Sequence, residues 1–586
     1  MIHKLLSILL ICFFQFIYSQ SLPIFLDGRT DDWNIPVPTY VDTENDGTIY
    51  DFKDISVTND EQFLFVKIKI TPFIKLLEDN QIAIFIDGDN NSSTGFPING
   101  IGADLRFNFG TRNGFNYHTS SSITYSSIRF RSLPTVTDTV FEIAIGRQFI
   151  PLTNGTGTIR ILLVDFAANG DFMPDNGETF EYTFDDTPIE PLIPVDITKA
   201  DTSLLRIMNW NVYSDGFTDP NREQYYDRIL QAINPDILAF NEMWNSTTLQ
   251  IQNRLNSILP LQNGSWNAVK LDGGNITASR YPILQNWLVY PGQRITASLI
   301  DLPERFEKNI LVINCHNKCC GGASNDATRQ REVDATIRFI LDAKTAGGVI
   351  DLSENTPFLI TGDLNLVGDR QQLITLLTGE IINTQLFGNG APPDWDDSDL
   401  EDIISSQTDK RTAYSWRNDQ STFPPGRLDF QIFSNSVVNV EKRFIIQTEI
   451  MSSARLNQYG IQQFDTKNAS DHFPKVTDVS FNLSTSVESE FVGSEFILEQ
   501  NYPNPFNPTT KIRYRISDAG FVSLKVYDVL GREVAVLVNE FKPAGAYEVE
   551  FNTQQKVHNT QVSSGVYFYS LQSGKFSAIR KFILIH

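Results

Sequence analysis

The stretch Phe358-Leu359-Ile360-Thr361-Gly362-Asp363-Leu364-Asn365 joins a short apolar run to a glycine, a carboxylate and an amide. Such a run, bounded by glycine, reads as a buried strand. In layered folds the polar residues at the end of a core strand open into a cleft, whereas mid-strand positions are buried. The same arrangement recurs in both directions. Asn209-Trp210-Asn211 follows the run Leu205–Met208, and Glu242 follows Pro235–Asn241. His316 follows Ile310–Cys315, Arg427-Leu428-Asp429 opens another strand, and Ser470-Asp471-His472 precedes Phe473-Pro474. Between the runs, Tyr225–Ile233 has helical spacing. This alternation predicts an α/β domain over residues 204–482.

The chain is too long, at 586 residues, for one core, and three domains is the natural division. Apolar residues at 41% and charged residues at 20% are ordinary for globular protein, and the 42 phenylalanines favour strand-rich architecture. The net charge of −23 argues against a basic nucleic-acid-reading surface. It does not exclude an enzyme that grips one phosphate through a metal ion, because the metal supplies positive charge locally.

Lys4, the apolar run Leu5–Ile17 and the small Ser19 before Gln20 read as a secretory signal peptide over residues 1–19, too short for a membrane span. No later segment is apolar enough to span a bilayer. Cys12 leaves with the signal, since the bulky Ile11 before it does not suit a lipoprotein. Cys315, Cys319 and Cys320 remain in one segment, where one pair could bridge in an oxidising compartment.

Residues 20–185 read as a strand-rich accessory domain, from the runs Phe63–Ile70, Ile82–Ile86, Phe141–Ile145 and Ile159–Asp165. The stretch Asp87–Gly95 (DGDNNSSTG) is dense in oxygen ligands and is either a calcium site or a polar turn. This part resembles β-sandwich modules related to carbohydrate-binding and DOMON-type domains, which implies a cell-surface glycan as a candidate partner. Residues 186–203, with Pro188, Pro191 and Pro194, form a linker, and 483–495 a second one. Residues 496–586 read as a small β domain. Its YPNPFNP opening (Tyr502–Pro508), LGREV turn (Leu530–Val534), SSGVYFY strand (Ser563–Tyr569) and final Arg580-Lys581-Phe582 closely resemble the C-terminal sorting domain of type IX secretion. That resemblance implies export by the type IX machinery to the medium or the outer surface of a Gram-negative bacterium.

The set NWNV, FNE, GDLN, RLDF and SDHFP, in that order, resembles the endonuclease/exonuclease/phosphatase family. The resemblance covers about half the chain. It implies a four-layer α/β sandwich of DNase-like fold, with the site at one edge of two packed sheets. It further implies that Glu242 binds a divalent metal with Asn211 beside it, helped by Asp471. Asp363 orients or deprotonates the attacking water, and Asn365 binds a phosphate oxygen. His472 donates to the scissile phosphate, while Asp429 fixes the tautomer of His472. His316 stands where DNase-like and sphingomyelinase-like members carry a second histidine, there protonating the leaving oxygen. Only these two of the six histidines lie in the catalytic segment. Phosphodiester hydrolysis needs charge neutralised on nonbridging oxygens and an aligned water, and hard oxygen ligands suit magnesium or manganese.

Departures from the pattern narrow the reading. Val212-Tyr213 stands where abasic-site endonucleases carry an acidic residue. Arg280 and Lys318 are candidate substrate contacts, each with a structural alternative. The acidic loop Asp394–Asp399 is a solvated turn, a cation site, or a barrier to nucleic acid if it lines the cleft. The leading expectation is a secreted metal-dependent phosphodiesterase acting on nucleic acid. A sphingomyelinase-like or other phosphate-ester hydrolase is the alternative, with Trp395 and Phe423 as its candidate membrane contacts. A non-catalytic surface-binding protein is the reading from another class.

Overall fold

The computed structural model describes residues 21–481, apart from 35–36, 153–154, 156 and 272, and residues 497–584, apart from 499, 502, 505, 517–519, 529–531, 544, 554–562 and 574–575. The expected signal peptide and the 483–495 linker lie outside the described residues. Two compact units divide the chain, Met1–Leu483 and Ser484–His586.

The first unit begins with two antiparallel sheets. One orders Thr39–Val41, Asp51–Asn59, Phe63–Ile74, Asp138–Gly146 and Arg131–Leu133; the other is built around Thr158–Asp165, Ile82–Asp87 and Leu105–Asn108. Alternating residues such as Ile55, Val57, Val66 and Ile68 meet Ile84, Ile86, Leu105 and Phe107 in a single buried core. This is a β-sandwich: period-two side chains bury one face of each sheet against the other.

Residues 186–203 hold no regular element, yet the segment is fastened to the α/β layers C-terminal to it. Val195 N donates to Thr408 O at 2.9 Å, Ile197 is fully buried, and Arg206 donates to Ile197 O at 2.8 Å.

In those layers, two six-stranded sheets face each other. The first orders Asn267–Val269, Ile276–Ser279, Ile237–Asn241, Leu205–Asn211, Lys475–Phe481 and Val438–Ile445. The second orders Ile283–Leu288, Ile295–Ile300, Ile310–His316, Phe358–Asp363, Asp429–Phe433 and Glu401–Asp402. Leu205, Ile207, Ile237, Val312, Leu359 and Val479 fill the space between them. The opposite faces pack on helices: Tyr226, Ile229 and Leu230 of Glu223–Ile233 against the first sheet, and Val333, Ile337 and Ile340 of Ala323–Ala343 against the second. The central strands Leu205–Asn211, Ile237–Asn241, Ile310–His316 and Phe358–Asp363 are buried on both faces, which is why they read as apolar runs rather than alternating ones.

The Ser484–His586 unit contains a three-stranded sheet (Ile497–Leu498, Thr509–Ile516, Gly545–Asn552) and a four-stranded one (Glu533–Lys542, Gly520–Asp528, Gly565–Ser573, Phe576–Leu584). Ile512, Tyr514, Leu524, Tyr569 and Phe582 form their common core.

Among the described residues, no helix is long and apolar enough to cross a membrane.

Candidate active site

The polar strand ends converge because of register. His316 lies opposite Asp363 in the parallel pair Ile310–His316/Phe358–Asp363, and Asp363 lies opposite Asp429 in the antiparallel pair beyond it. In the facing sheet Asn211 lies opposite Asn241. Each sheet therefore delivers its polar residues to the same edge.

Gly362 makes the joint possible. Its φ is +123°, and a Cβ there would meet Cys315 O at 2.1 Å and Asn241 Oδ1 at 3.1 Å. Only glycine combines that torsion with so close an approach. The backbone N–H of Asp363 then donates to Asn241 Oδ1 at 3.0 Å, and Asn241 Nδ2 donates to Asn275 and Asn314 at 2.9 Å each. This buried amide ladder ties the two sheets together just beneath the site.

Above the ladder the side chains form one connected chain. Asn211 Nδ2 donates to Glu242 Oε1 and to Asp363 Oδ2, each at 3.0 Å. The amide oxygen of Asn211 accepts from Tyr213 N, and Glu242 Oε2 accepts from Ser214 N at 2.9 Å. His472 Nε2 and His316 Nε2 lie 3.6 and 3.7 Å from Asp363 Oδ2. His472 Nδ1 pairs with Asp429 Oδ2 at 2.8 Å, and that oxygen also accepts from Ser415 Oγ at 2.7 Å. Trp210 Nε1 donates to His472 O, and Ser470 Oγ joins the His472 N–H to Asn211 O. Asn365, with φ of +50°, donates its N–H to Asp363 Oδ1.

Charge follows from this packing. Burial alone would keep His472 neutral, but Asp429, Asp363 and Asp471 outweigh it and raise its pKa, so the ring carries a proton at neutral pH. Burial pushes the Asp363 carboxyl up, with Asp429 and Glu242 adding to the push while His472 opposes it. Burial, then Arg294 and His472, hold His316 well below the ordinary histidine value, leaving it neutral.

Glu242, Asp363, Asp471, His316, His472 and Asn365 all line a cleft of about 370 Å³. Glu242 and Asp471 both bring carboxylate oxygens, the donor type a hard divalent cation takes, to this cleft. Asp471 Oδ2 accepts from Trp416 Nε1 at 3.1 Å, but its buried Oδ1 has no hydrogen-bond partner. A buried carboxylate oxygen left unpaired is costly unless a cation or water completes it. Two protein carboxylates with waters filling the remaining positions are what magnesium commonly accepts. In the sandwich, two groups of three hold carboxylate oxygens within 4.8 Å of one another: Asp87, Asp89 and Asp104, and Asp42, Asp46 and Asp171. The first includes part of the Asp87–Gly95 loop. The second escaped sequence reading because Asp171 is distant in the chain. Both oxygens of the buried Asp42 lack partners.

Several candidates fall elsewhere. Arg280 lies at the far end of its sheet, donating to Pro235 O at 2.7 Å and to Asn234, so it is not a substrate contact. In the acidic loop Asp394 is buried against Ser436 and Trp395 Nε1 donates to Thr356 O at 2.7 Å, while Asp396, Asp397 and Asp399 are exposed, as in a solvated turn. The loop does not line the cleft, and Trp395 packs on the core instead of offering a membrane contact. Phe423 lines the cleft under the Arg112 guanidinium, 3.9 Å from the ring centre. Lys318 is engaged through its backbone, donating to Glu332 at 2.8 Å. Cys315 is buried mid-sheet, while Cys319 and Cys320 sit at the cleft rim as thiols with Sγ atoms 2.9 Å apart. Sequence reading missed Asn241, Ser415 and Trp244. The Trp244 ring lies 5.6 Å from that of His316, and only its place two residues after Glu242 hinted at a role.

Residues 208–472 match the model of the Endonuclease/Exonuclease/phosphatase family, and residues 500–585 match that of the Secretion system C-terminal sorting domain. No curated protein matches the chain. Among solved structures, it is similar to an endonuclease/exonuclease/phosphatase from Beutenbergia cavernae DSM 12333 at 13% identity, over 65% of this chain and 100% of that one, with a TM-score of 0.30. It is similar to an AP endonuclease from Archaeoglobus fulgidus at 11% identity, over 48% and 100%, with a TM-score of 0.30. Its N-terminal part is similar to a family 9 carbohydrate-binding module from Caldicellulosiruptor kristjanssonii solved with cellotriose, at 14% identity, over 31% and 98%, with a TM-score of 0.21.

The family match over residues 208–472 marks a phosphoester hydrolase domain. The chain carries a catalytic domain of the endonuclease/exonuclease/phosphatase family followed by a secretion sorting domain, which directs it to the cell surface or the extracellular space.

Proposed function

We propose that this protein is an extracellular, metal-dependent phosphodiesterase acting on nucleic acid, with residues 204–482 as a four-layer α/β catalytic domain. The observation that carries the reading is the unbroken hydrogen-bonded chain from Glu242 through Asn211 to Asp363, with His472 and Asp429 beyond it, at the floor of one cleft. Glu242 and Asp471 hold magnesium or manganese, and Asn211 orients Glu242. When bound, the cation neutralises charge on the nonbridging phosphate oxygens.

The remaining work belongs to side chains. Asp363, whose raised pKa suits a base, orients and deprotonates the attacking water. His472, protonated and fixed by Asp429, donates from Nε2 to a phosphate oxygen. Asn365 binds another phosphate oxygen. His316, neutral when the cleft is free, serves as a hydrogen-bond donor near the leaving oxygen; a bound phosphate would raise its pKa toward that of a proton donor.

Calcium is the ion we assign to the sandwich carboxylates, with the Asp42 group better supported than the Asp87 group by its two unpaired oxygens. For the sandwich itself we keep a cell-surface glycan contact, supported by its two-sheet form alone. Unchanged pull-down on insoluble glycans after its deletion would sink that part.

The test is hydrolysis of bis(p-nitrophenyl) phosphate and of linear DNA, with magnesium, with chelator, and with Asp363→Ala. We expect metal-dependent turnover of both, reduced about 10²–10⁴-fold in the variant, as for loss of a general base. Equal rates in the variant would remove Asp363 from the chemistry.

A further inference from the structure

The accessory sandwich does not hang from a tether; it forms one side of the catalytic cleft. Two of its loops, Lys75–Glu78 and Ser132–Val136, contribute lining residues to the same cavity as Glu242, Asp363 and His472. Bonds on both flanks fix them there. Thr135 Oγ1 donates to Leu366 O, and Thr137 N donates to Gly368 O, each at 2.8 Å. Asp138 pairs with Arg370 at 3.1 Å, and Lys75 with Asp326 at 2.6 Å. Tyr125 Oη donates to Asn418 O at 3.0 Å, and Val136 is buried in the same core as Leu364 and Leu366. Glu78 packs on Gly321 so closely that a Cβ there would meet its carboxylate at 2.4 Å.

Two properties of the walled cleft constrain what enters it. The first is room: about 370 Å³ is the low end of small-ligand sites. The interior of a polynucleotide must leave the reacting phosphate in two directions, and the sandwich loops take up part of the wall within that limited room. The second is charge. Among the described lining residues Lys75 is the one lysine or arginine, and it is already paired with Asp326, whereas Glu78, Glu242, Asp363 and Asp471 are acidic. A surface that grips a long polyanion needs several free cations along the backbone path. Here Leu77, Val136, Tyr213, Trp416, Phe423 and Leu428 give the walls an apolar and aromatic face instead. Such a face suits a planar base or another aromatic substituent.

From this we infer that the cleft accepts a phosphodiester at the end of a chain, or a short one, with its planar substituent against the apolar wall, and excludes interior phosphates of a long nucleic acid. The inference rests on the hydrolase reading above and makes the sandwich a specificity element, with Leu77 and Glu78 its determining residues.

The experiment compares three substrates on the full secreted chain with magnesium: bis(p-nitrophenyl) phosphate, linear single-stranded DNA labelled at either end, and closed circular single-stranded DNA of the same length. The expected result is turnover of the small diester, stepwise shortening of the linear strand from one end, and cutting of the circle at least about 100-fold more slowly. Leu77→Ala and Glu78→Ala, which lower the wall at two half-buried positions, should each reduce the linear-to-circular ratio several-fold. Turnover of the small diester with neither DNA cut would also support the exclusion and point to short phosphodiesters as the substrate. A circle cut as fast as the linear strand would overturn the inference while leaving the hydrolase reading intact. Failure on all three substrates would overturn the hydrolase reading itself, and this inference with it.

Discussion

Two of the carboxylate crowds in the first unit, one in the sandwich and one in the cleft, are managed differently. In the sandwich, Asp42, Asp46 and Asp171 face one another, and the Asp42 oxygens find no donor. In the cleft, Glu242, Asp363 and Asp429 are interleaved with Asn211, Ser415 and His472, so that each accepts at least one hydrogen bond or ion pair. In the sandwich group burial, with the neighbouring carboxylates adding to it, raises Asp42 to about 8 and Asp171 to about 6, so the crowd is relieved by bound protons. In the cleft group burial pushes the Asp363 carboxyl up, while His472 and the Asn211 amide beside it oppose that push. Position matters too: the cleft group lies at strand ends on an open cleft, where substrate can come and go.

Three outcomes would break or sharpen this contrast. The largest effect is expected from Asp429→Asn. Loss of the anion behind His472 should lower kcat about 100-fold or more, as when a histidine loses its orienting carboxylate, with little change in KM. The pH profile gives the sign. Asp429 helps to raise the His472 pKa, so without it the ring gives up its proton at lower pH, and the alkaline fall in activity should move toward neutrality. An unmoved alkaline limb would mean that the pair is only structural.

Calcium should act on the other crowd. Saturating calcium, at about 100 times its dissociation constant, stabilises by about 2.7 kcal/mol, enough to raise the sandwich's melting temperature by several degrees. The shift should vanish in Asp42→Asn. Calcium should leave the Asp363-dependent chemistry unreplaced in magnesium-free buffer. A shift that survives Asp42→Asn would move the ion to the Asp87 group.

The smallest effect concerns an acid that belongs to neither crowd. Glu142 is buried in the sandwich, where it accepts from Trp33 Nε1 at 2.8 Å, and burial raises its pKa to about 8. The folded state therefore holds a proton that the unfolded state releases above the ordinary glutamate value of 4.5. Stability from this group is full below pH 4.5 and declines as pH rises toward 8. Melts at pH 5 and pH 8 should show the decline in wild type and a smaller one in Glu142→Gln.

The catalytic half was legible because its sequence constraints are local. Position 362 must be glycine, since the torsion and the close approach of Cys315 O leave no alternative, and the carboxylate of Asp363 follows it directly. The central strands are buried on both faces, so they appear as uninterrupted apolar runs. The expected run Phe358–Thr361 became the strand Phe358–Asp363, extended by the glycine and the carboxylate that carry the site. Asn241 was not legible as part of the site, because nothing in the chain marks that its amide reaches Asp363 N from the facing sheet. Arg280 and Trp395 misled for the same reason: a strand-end arginine and a loop tryptophan look exposed until the register shows which end of the sheet they occupy.

By itself the sequence determined the order of the parts, the strand-end residues that can do phosphoester chemistry, and the sorting tail, because each is written in contiguous residues with fixed chemistry. The tertiary structure alone decided which residues share a cavity. Parallel and antiparallel register brought His316, Asp363 and Asp429 side by side, and docking of the sandwich brought Leu77 and Glu78 within the same cleft. Those neighbours are separated by tens to hundreds of residues, and only packing, which buries apolar faces wherever they fit, can choose them.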